Sequence, residues 1–458
     1  MPGATGSTEP CRCPTTGCRK ARRAAKGRSF LRRRSPSTSS RRIPAMTEAP
    51  RVPAVYPSGV TRYDPGKAWH GHVLFAALDQ RSYLIDLEGR VVNRWDYYGQ
   101  PTALIDPAVN GGRKGHVLVR YELRRQQDPR ALGNGLNVHA IAELDWHGRP
   151  IWIWGDQAPG GSARQHHDWQ RLANGNTLLL ANRLQRIPGF RLDESIDDII
   201  YEVDPQGRVV WQWLASEHLQ EFGFTPEQLE LVRNTEHADY LHLNNLKVLG
   251  PNKWHEQGDA RFHPDNLIID SREANFIAIV DKRSGKVVWN LGPNYPRLTR
   301  ENQFSPRLPR PVDQLAGLHD AHLIPLGLPG AGNLLVFDNQ GGSGYPPVHL
   351  GVMPGSRVLE IDPIDGQIVW QYSALDSGQP VWSFYSSFIS SARRLPNGNT
   401  LIDEGMTGRI FQVTSDGEIV WEYISPYFGD FFGGCRSNFV YRAQPVPFDW
   451  VPDDPVGH

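Results

Sequence analysis

Apolar residues recur along most of this chain as pairs of short alternating segments joined by a turn. Each pair has an apolar run followed by an aspartate, a turn with a glycine, and a second apolar run that contains a tryptophan. The turn glycines are Gly89, Gly148, Gly207, Gly285, Gly366 and Gly417. The tryptophans are Trp95, Trp152, Trp211, Trp289, Trp370 and Trp421. Period-two alternation around a glycine turn predicts six β-hairpins, and we expect the tryptophans to anchor each hairpin against its neighbour.

A further strand-like run precedes each hairpin, for example Asn176–Leu180 and Asn333–Val336. A fourth strand before that run completes a unit, and the turn glycines recur at intervals of 51 to 81 residues. Six such units predict an all-β fold, a six-bladed β-propeller with four-stranded antiparallel blades. Each blade alone leaves a face uncovered, so the ring must close for the fold to be stable. We assign the propeller to residues 51–445 and a C-terminal tail to residues 446–458.

Two insertions interrupt the repeat. Thr225, Pro226 and Gln228 form a helix-start pattern, because the threonine and glutamine side chains can cap each other's backbone and proline fits the first helical turn. This pattern predicts a short helix between blades three and four. Residues 293–317 are rich in proline and arginine, and we expect a long loop there that forms part of a rim or lid over the channel.

The charged residues are unevenly divided, although the whole chain has a net charge of zero. Residues 1–45 contain 12 Lys and Arg and one acidic residue, whereas the remaining residues contain 37 basic and 48 acidic ones. We expect residues 1–50 to be a disordered basic leader, because they have too few apolar residues to form a core. The acidic excess of the body argues against nucleic-acid binding, which needs clustered basic residues.

Cysteine content and hydropathy bear on the cellular compartment. Cys11, Cys13 and Cys18 lie in the leader at a spacing that fits no zinc template, and the body holds Cys435 alone, so no disulfide framework is expected. No run reaches the roughly 18 apolar residues of a membrane helix, and no apolar segment typical of a signal peptide follows the leader arginines. We therefore expect a cytoplasmic protein without a membrane span, although the sequence leaves export open.

Histidines recur at the start of the predicted inner strands. The segments that begin at His167 and His319 have the same layout, and we align His242 with these histidines and Ser390 with the same position in blade six. Because the inner strands of a propeller line its channel, we expect these side chains at one mouth of that channel. The aspartates that follow His167 and His319 would then alternate away from it.

Other polar side chains are predicted at the same mouth. Asn244 follows His242 by two residues and would share its face, and Arg272 ends the next strand of blade four. His166 is a weaker candidate for the channel. Imidazoles, an amide and a guanidinium would converge there without a carboxylate, which suits an anion with several oxygens. The histidines could also be structural hydrogen-bond partners or hold a metal, and Ser390 lacks a visible base for nucleophilic catalysis.

The segments that contain these residues resemble the bacterial arylsulfate sulfotransferases over about residues 56–443. The resemblance rests on an ordered set of motifs, which are Tyr83–Gly89, Arg164–Asp168, Leu241–Asn245, Leu318–His322, Phe388–Leu401 and Gly417–Tyr423. It implies a six-bladed propeller enzyme that moves a sulfuryl group from an aryl sulfate to a phenol. It also implies a ping-pong reaction through a sulfated histidine, with neither a nucleotide sulfate donor nor a cofactor.

The same resemblance implies roles for individual residues. His319 would be the nucleophile. The other catalytic residues would be His242, His167 and Arg272. The substrate-binding residues would include Asn244 and Ser390, and we add His166 as the weaker candidate from its position. The aromatic ring of the substrate needs an apolar wall, for which we expect Trp382 and Phe388, just before the inner strand of blade six.

Two other functions remain open at this stage. One is a propeller that binds a ligand or partner without catalysis, and the other is a metal-dependent propeller hydrolase or lactonase. The small-molecule partners of the enzyme would be an aryl sulfate donor and a phenolic acceptor, and a homodimer is compatible with the family. The better-known periplasmic members have a cleaved signal, a disulfide and an N-terminal β-sandwich. We expect none of these here. No signal is visible, Cys435 is the one cysteine of the body, and the region before the first blade is too short for a sandwich.

Overall fold

The computed structural model describes residues 57–121, 138–296, 308–349, 355–431 and 435–453. The predicted disordered leader lies outside these residues. The strands of the first three blades and their surroundings are β1 (Gly59–Tyr63), β2 (His72–Ala77), β3 (Arg81–Ile85), β4 (Val91–Trp95), β5 (Ala103–Leu104), β6 (Val117–Arg120), β7 (Ile141–Leu144), β8 (Pro150–Trp154), β9 (Gln165–Arg171), β10 (Thr177–Gln185), β11 (Ser195–Val203) and β12 (Val209–Leu214).

The second half of the chain continues the same alternation of strands. Its strands are β13 (Leu243–Val248), β14 (Leu267–Ser271), β15 (Phe276–Val280), β16 (Val287–Leu291), β17 (Arg310–Pro311), β18 (His319–Leu323), β19 (Leu334–Asp338), β20 (Arg357–Ile361), β21 (Gln367–Tyr372), β22 (Ser391–Arg394), β23 (Thr400–Glu404), β24 (Arg409–Val413), β25 (Ile419–Ile424), β26 (Gly429–Phe431), β27 (Cys435–Ser437) and β28 (Val440–Val446). The α-helices are α1 (Pro226–Arg233) and α2 (Lys253–Glu256).

These strands form six antiparallel blades around a channel, which confirms the predicted six-bladed propeller. From the channel outward the blades are β28-β2-β3-β4, β5-β6-β7-β8, β9-β10-β11-β12, β13-β14-β15-β16, β18-β19-β20-β21 and β22-β23-β24-β25. The short strands β17 and β1 extend blades five and six at their outer edges, and β26 and β27 form a separate hairpin. Apolar side chains of adjacent blades fill the spaces between them.

The C-terminal strand closes the ring. β28 is the inner strand of blade one and pairs with β2, whose own sequence neighbours β3 and β4 complete that blade. The boundary that we drew between propeller and tail falls at the end of this strand. Beyond it, Phe448–Trp450 forms a 3-10 turn, and the Trp450 carbonyl accepts a hydrogen bond from the Gly115 N–H of blade two.

Tryptophans link each blade to the next, as the repeat predicts. The Nε1–H of Trp95 donates to the Asp145 carbonyl at 3.0 Å, and that of Trp421 donates to the Leu87 carbonyl at 2.8 Å, which joins blade six to blade one. Trp289 and Trp370 make the equivalent bonds to the next blade. In blades two and three, however, the anchors are Trp154 and Trp213 rather than the predicted Trp152 and Trp211. Each anchor lies two residues further along on the same face of its strand and is buried, whereas Trp152 and Trp211 are only half-buried.

The structure agrees in part with the two predicted insertions, a helix after Thr225 and a loop at 293–317. Helix α1 begins after the N-cap Thr225, whose hydroxyl accepts from the Gln228 N–H, while the Gln228 side chain accepts from the Thr225 N–H. The predicted loop at 293–317 includes strand β17, which lies at the outer edge of blade five rather than over the channel. Residues 297–307 of that loop lie outside the described part. Within the described residues, none of the helices is long and apolar enough to cross a membrane.

Candidate active site

Left-handed residues mark the entry of the chain into the inner strands of blades three to six. These residues are His167 (φ 56°), His242 (φ 51°), Asp320 (φ 62°) and Ser390 (φ 92°). A residue other than glycine in this conformation costs of order 1–3 kcal/mol and persists where the surrounding structure fixes it. The ladders of β9, β13 and β18 also shift register here. Side chains of separate blades therefore meet at this mouth of the channel, which we call the histidine mouth.

The hydrogen bonds between inner strands correct our alignment of His242. Asp168 accepts from the Leu246 N–H of the next blade, and Asp320 accepts from the Ala392 N–H in the same way. Asn245 makes the corresponding contact, since its Nδ2–H donates to the Ala321 carbonyl at 2.6 Å. The residues just before these three are therefore equivalent. They are His167, Asn244 and His319, so Asn244 occupies the repeated position and His242 precedes it by two residues.

His319 is buried and its ring is fixed by an amide. Asn339 Nδ2 donates to the carbonyls of Ser386 and Ile389, at 2.7 and 2.8 Å, so its Oδ1 faces His319 Nδ1 at 2.8 Å as an acceptor. The proton of the neutral imidazole is therefore on Nδ1, and Nε2 holds a lone pair that accepts from the Ile389 N–H at 3.1 Å. Burial, helped by the nearby charge of Arg272, lowers the pKa of His319 to about 3.

His242 has the opposite electrostatic surroundings. Its Nδ1 lies 2.6 Å from Asp239 Oδ2, and its side chain is 18% exposed. Burial by itself would lower the pKa of His242, but the Asp239 carboxylate outweighs it, and the pKa is raised above its ordinary value. The sequence predicts a cluster without a carboxylate, and Asp239 corrects that prediction.

His167 and His166 form a chain that leads to a second carboxylate. The Nδ1 atoms of the two histidines lie 2.8 Å apart, and His166 Nε2 lies 3.1 Å from Asp198 Oδ1. The rings of His167 and His242 are 4.6 Å apart between centroids. Burial and then the charge of His242 hold the pKa of His167 well below its ordinary value. His166 therefore lies behind His167 and contacts it, rather than standing beside it as a separate binder.

The guanidinium of Arg272 lies at the start of the turn after β14. Its backbone N–H donates to the His242 carbonyl at 3.1 Å, which attaches this turn to the entry of β13. Its side chain is 21% exposed and pairs with Glu273. The positive charge of Arg272 lowers the pKa of His242 and of His319, so it acts on both rings.

The two predicted hydrogen-bonding residues have structural partners as well. The Asn244 Nδ2–H donates to the Leu318 carbonyl, next to His319, at 3.0 Å. The Ser390 hydroxyl donates to the Ser386 hydroxyl at 2.9 Å and accepts from the Gly405 N–H at 3.0 Å. Both contacts fix the backbone at the entry of an inner strand.

The aromatic residues of the mouth differ in position. Phe388 is half-buried and packs edge-to-face on Phe439. Trp382 lies in the 3-10 turn Val381–Ser383, and its side chain is 63% exposed. Tyr441 of β28, which the sequence patterns did not reveal, is buried with its ring centroid 5.6 Å from that of His167, and its hydroxyl donates to the Asn244 carbonyl at 3.1 Å.

An ion cluster joins the inner strands next to the histidine mouth. Arg442 of β28 lies 2.9 Å from Asp168 and 3.2 Å from Asp320, and its side chain is 5% exposed. Lys247 contacts the carboxylate of Asp168, and Arg393 contacts that of Asp320. The aspartates next to His167 and His319 thus join blades three to six and β28. In the part of the chain that the structure describes, no group of three or more His, Cys, Asp or Glu side chains is arranged to hold a metal ion.

The fold and the site define a propeller protein with a buried cluster of differently tuned histidines at one end of its channel. A family model described as arylsulfotransferase (ASST) matches residues 67–425, which is more than half of the chain. The protein belongs to the arylsulfotransferase family. Membership supports an aryl sulfotransferase activity in general, with an aryl sulfate and a phenol as small-molecule substrates.

Other comparisons give more distant similarities. No match was found among curated proteins. A protein of unknown function from Bacteroides caccae is 12% identical, with 82% of this chain and 99% of that chain covered and a TM-score of 0.46. A streptogramin B lyase is 13% identical, with 85% of this chain and 92% of that chain covered and a TM-score of 0.38.

Proposed function

We propose that this protein moves a sulfuryl group from an aryl sulfate to a phenol by a ping-pong reaction through a sulfohistidine on His319. The observation that supports this most is the fixed tautomer of His319. Its Nδ1–H is held by Asn339 and the Gly317 carbonyl, so the lone pair lies on Nε2. A neutral, buried imidazole with its lone pair at a defined atom is a competent nucleophile for covalent catalysis.

In the first half-reaction, His319 Nε2 attacks sulfur and the bond from sulfur to the phenolic oxygen breaks. The hydrogen bond from Ile389 to Nε2 must open first, which costs about 1 kcal/mol and is small beside the barrier of the chemistry. Arg272 compensates the charge of the sulfuryl oxygens. His242, whose pKa Asp239 raises so that it holds a proton more readily, gives its proton to the departing phenolate.

In the second half-reaction, the oxygen of the acceptor phenol attacks the sulfur of sulfohistidine. The bond from sulfur to Nε2 breaks and His319 leaves as a neutral imidazole, while a base takes the phenolic proton. The pKa values of His319 and His242 are shifted in opposite directions, which favours these two roles. The pKa of about 3 leaves His319 unprotonated near neutral pH, and the raised pKa of His242 makes its ring hold a proton more readily.

Rapid mixing with 4-nitrophenyl sulfate in the absence of acceptor tests the proposal. We expect a burst of about one nitrophenol per chain, followed by slow turnover that added phenol accelerates. His319→Ala should abolish the burst. His322→Ala is a matched control, since His322 is also buried on β18 but its Nδ1 bonds to the Asp320 carbonyl. A burst that survives in His319→Ala, or one lost equally in both variants, contradicts the assignment.

A further inference from the structure

We propose that His166 and Asp198 are a proton relay behind His167, which lets His167 take the proton of the acceptor phenol without becoming a cation. This inference rests on the proposed function and specifies the base of its second half-reaction. His167 would be the catalytic base, and His166 and Asp198 would be positioning residues that act through it.

The geometry is a continuous chain of three buried groups. His167 Nδ1 lies 2.8 Å from His166 Nδ1, and His166 Nε2 lies 3.1 Å from Asp198 Oδ1. Neither His166 Nε2 nor Asp198 Oδ1 has a hydrogen-bond partner among the described residues, so the 3.1 Å contact leaves each buried atom available for the proton that the relay passes between them. The second oxygen of Asp198 accepts from the Leu243 N–H at 2.9 Å, which fixes the carboxylate beside the entry of β13.

The chain has two arrangements of its protons when both imidazoles are neutral. With Asp198 ionised, His166 donates from Nε2 to Asp198, so its Nδ1 must accept from the Nδ1–H of His167. His167 then has a lone pair on Nε2 and can act as a base. With Asp198 protonated, His166 has its proton on Nδ1 and donates it to Nδ1 of His167. His167 Nε2 then has a proton and is an N–H donor.

Passing from the first arrangement to the second removes one proton from the acceptor. The phenolic proton moves to His167 Nε2, the Nδ1 proton of His167 moves to His166 Nδ1, and the Nε2 proton of His166 moves to Asp198. Asp198 thus becomes neutral as the phenolic oxygen bonds to sulfur. The cycle closes when the proton returns along the chain to His167 and from there to His242, whose ring centroid is 4.6 Å from that of His167.

The surroundings favour a relay over a simple base. Burial and the nearby charge of His242 hold the pKa of His167 well below its ordinary value, so an imidazolium at His167 is unfavourable. Burial also raises the pKa of Asp198, which makes it a better proton acceptor. The left-handed φ of 56° at His167 is a backbone cost that the site sustains to place this ring.

Asp198→Asn tests the relay, because asparagine Oδ1 can still accept from Leu243 while the amide cannot accept a proton from His166. Each variant is first loaded with 4-nitrophenyl sulfate and then mixed with phenol or with 4-nitrophenol, which is already ionised at the assay pH. We expect loading within about threefold of the wild type, transfer to phenol slowed by roughly 10²-fold, and transfer to 4-nitrophenolate almost unchanged. Histidine ¹⁵N shifts should show a change of tautomer at His167.

Asp197→Asn is the matched control. Asp197 is the adjacent buried aspartate, but it bonds to Tyr240 and Gln185 on the other side of β11. This variant should slow both acceptors alike or neither. Asp198→Asn that transfers to phenol at the wild-type rate, or that slows both acceptors equally, overturns the relay and leaves the proposed function intact. A wild-type protein that takes up no sulfuryl group overturns the proposed function itself.

Discussion

Asp239 Oδ2 lies 2.6 Å from Nδ1 of His242, whereas His319 Nδ1 faces the neutral amide oxygen of Asn339 at 2.8 Å. The two histidines are close enough that the charge of one lowers the pKa of the other. Their partners therefore decide which ring is protonated. The carboxylate raises the pKa of His242, while burial lowers that of His319 to about 3. Such divergence within one site separates an acid from a nucleophile.

Asp239→Asn should lower the pKa of His242, so that its ring is protonated to a smaller extent at a given pH. The raised pKa of His242 depends on the carboxylate, so in the variant the pKa falls and the alkaline limb of the rate–pH profile moves to lower pH. We expect roughly 10²-fold slower loading from phenyl sulfate, whose leaving group needs a proton, and a much smaller loss from 4-nitrophenyl sulfate. Equal losses with both donors would show that His242 is not the acid. Glu236→Gln, on an exposed neighbouring side chain, is the control.

The blades could be predicted from the sequence because their physics is local. Two-residue alternation, turn glycines and the capping pattern at Thr225 each act within a few positions. The closing strand β28 lacks this advantage, since its partner β2 lies more than 350 residues earlier in the chain. His167 and His319 were visible for the same reason as the blades, because they recur with the repeat.

The residues that tune the histidines were not predictable in this way. Asp239 precedes the inner strand outside the repeat, Asp198 belongs to the third strand of blade three, and Asn339 follows β19. The offset of His242 arises from the left-handed entry and the register shift of β13, which two-residue alternation cannot anticipate. An aspartate three residues before a histidine was the available signal for Asp239, but this spacing is common by chance.

Acid should destabilise the protein partly through His319. The unfolded chain binds a proton at this histidine below a pH of about 6.5, whereas the folded protein does so only below about 3, so stability falls as the pH falls through that window. Between pH 7 and pH 5 this contribution amounts to about 2 kcal/mol. His319→Gln should lose that much less stability than the wild type in urea unfolding at the two pH values. His263→Gln, on an exposed ring, should behave like the wild type, and identical losses in all three proteins would refute the linkage.

Arg442→Met should destabilise the ring strongly. The guanidinium lies 2.9 Å from Asp168 and 3.2 Å from Asp320, and its removal leaves buried carboxylates with too little positive charge. Breaking a buried ion pair in this way costs about 3–5 kcal/mol. Urea unfolding measures the change, with Arg436→Met on the exposed strand β27 as the control. A loss below about 1 kcal/mol would mean that the cluster does not hold β28 in place.

Asn339→Leu should leave His319 as a mixture of its two neutral tautomers, without removing the nucleophile. The leucine cannot accept the Nδ1 proton, so Nε2 no longer holds the lone pair uniquely. We expect loading by 4-nitrophenyl sulfate to slow by at least tenfold, because a share of the rings presents N–H to the sulfur. Asn333→Leu, just before β19 and bonded to Glu360, is the control at the other end of that strand. Unchanged loading in Asn339→Leu would show that the Gly317 carbonyl alone fixes the ring.

Peptide mapping by mass spectrometry after mixing the protein with 4-nitrophenyl sulfate alone tests the covalent intermediate most directly. We predict one added sulfuryl group per chain, located on His319 by fragmentation, and its disappearance within the time of transfer when phenol is added. An unmodified protein that nevertheless transfers sulfuryl groups, or a modification on His322, His242 or His167 in place of His319, would contradict the mechanism.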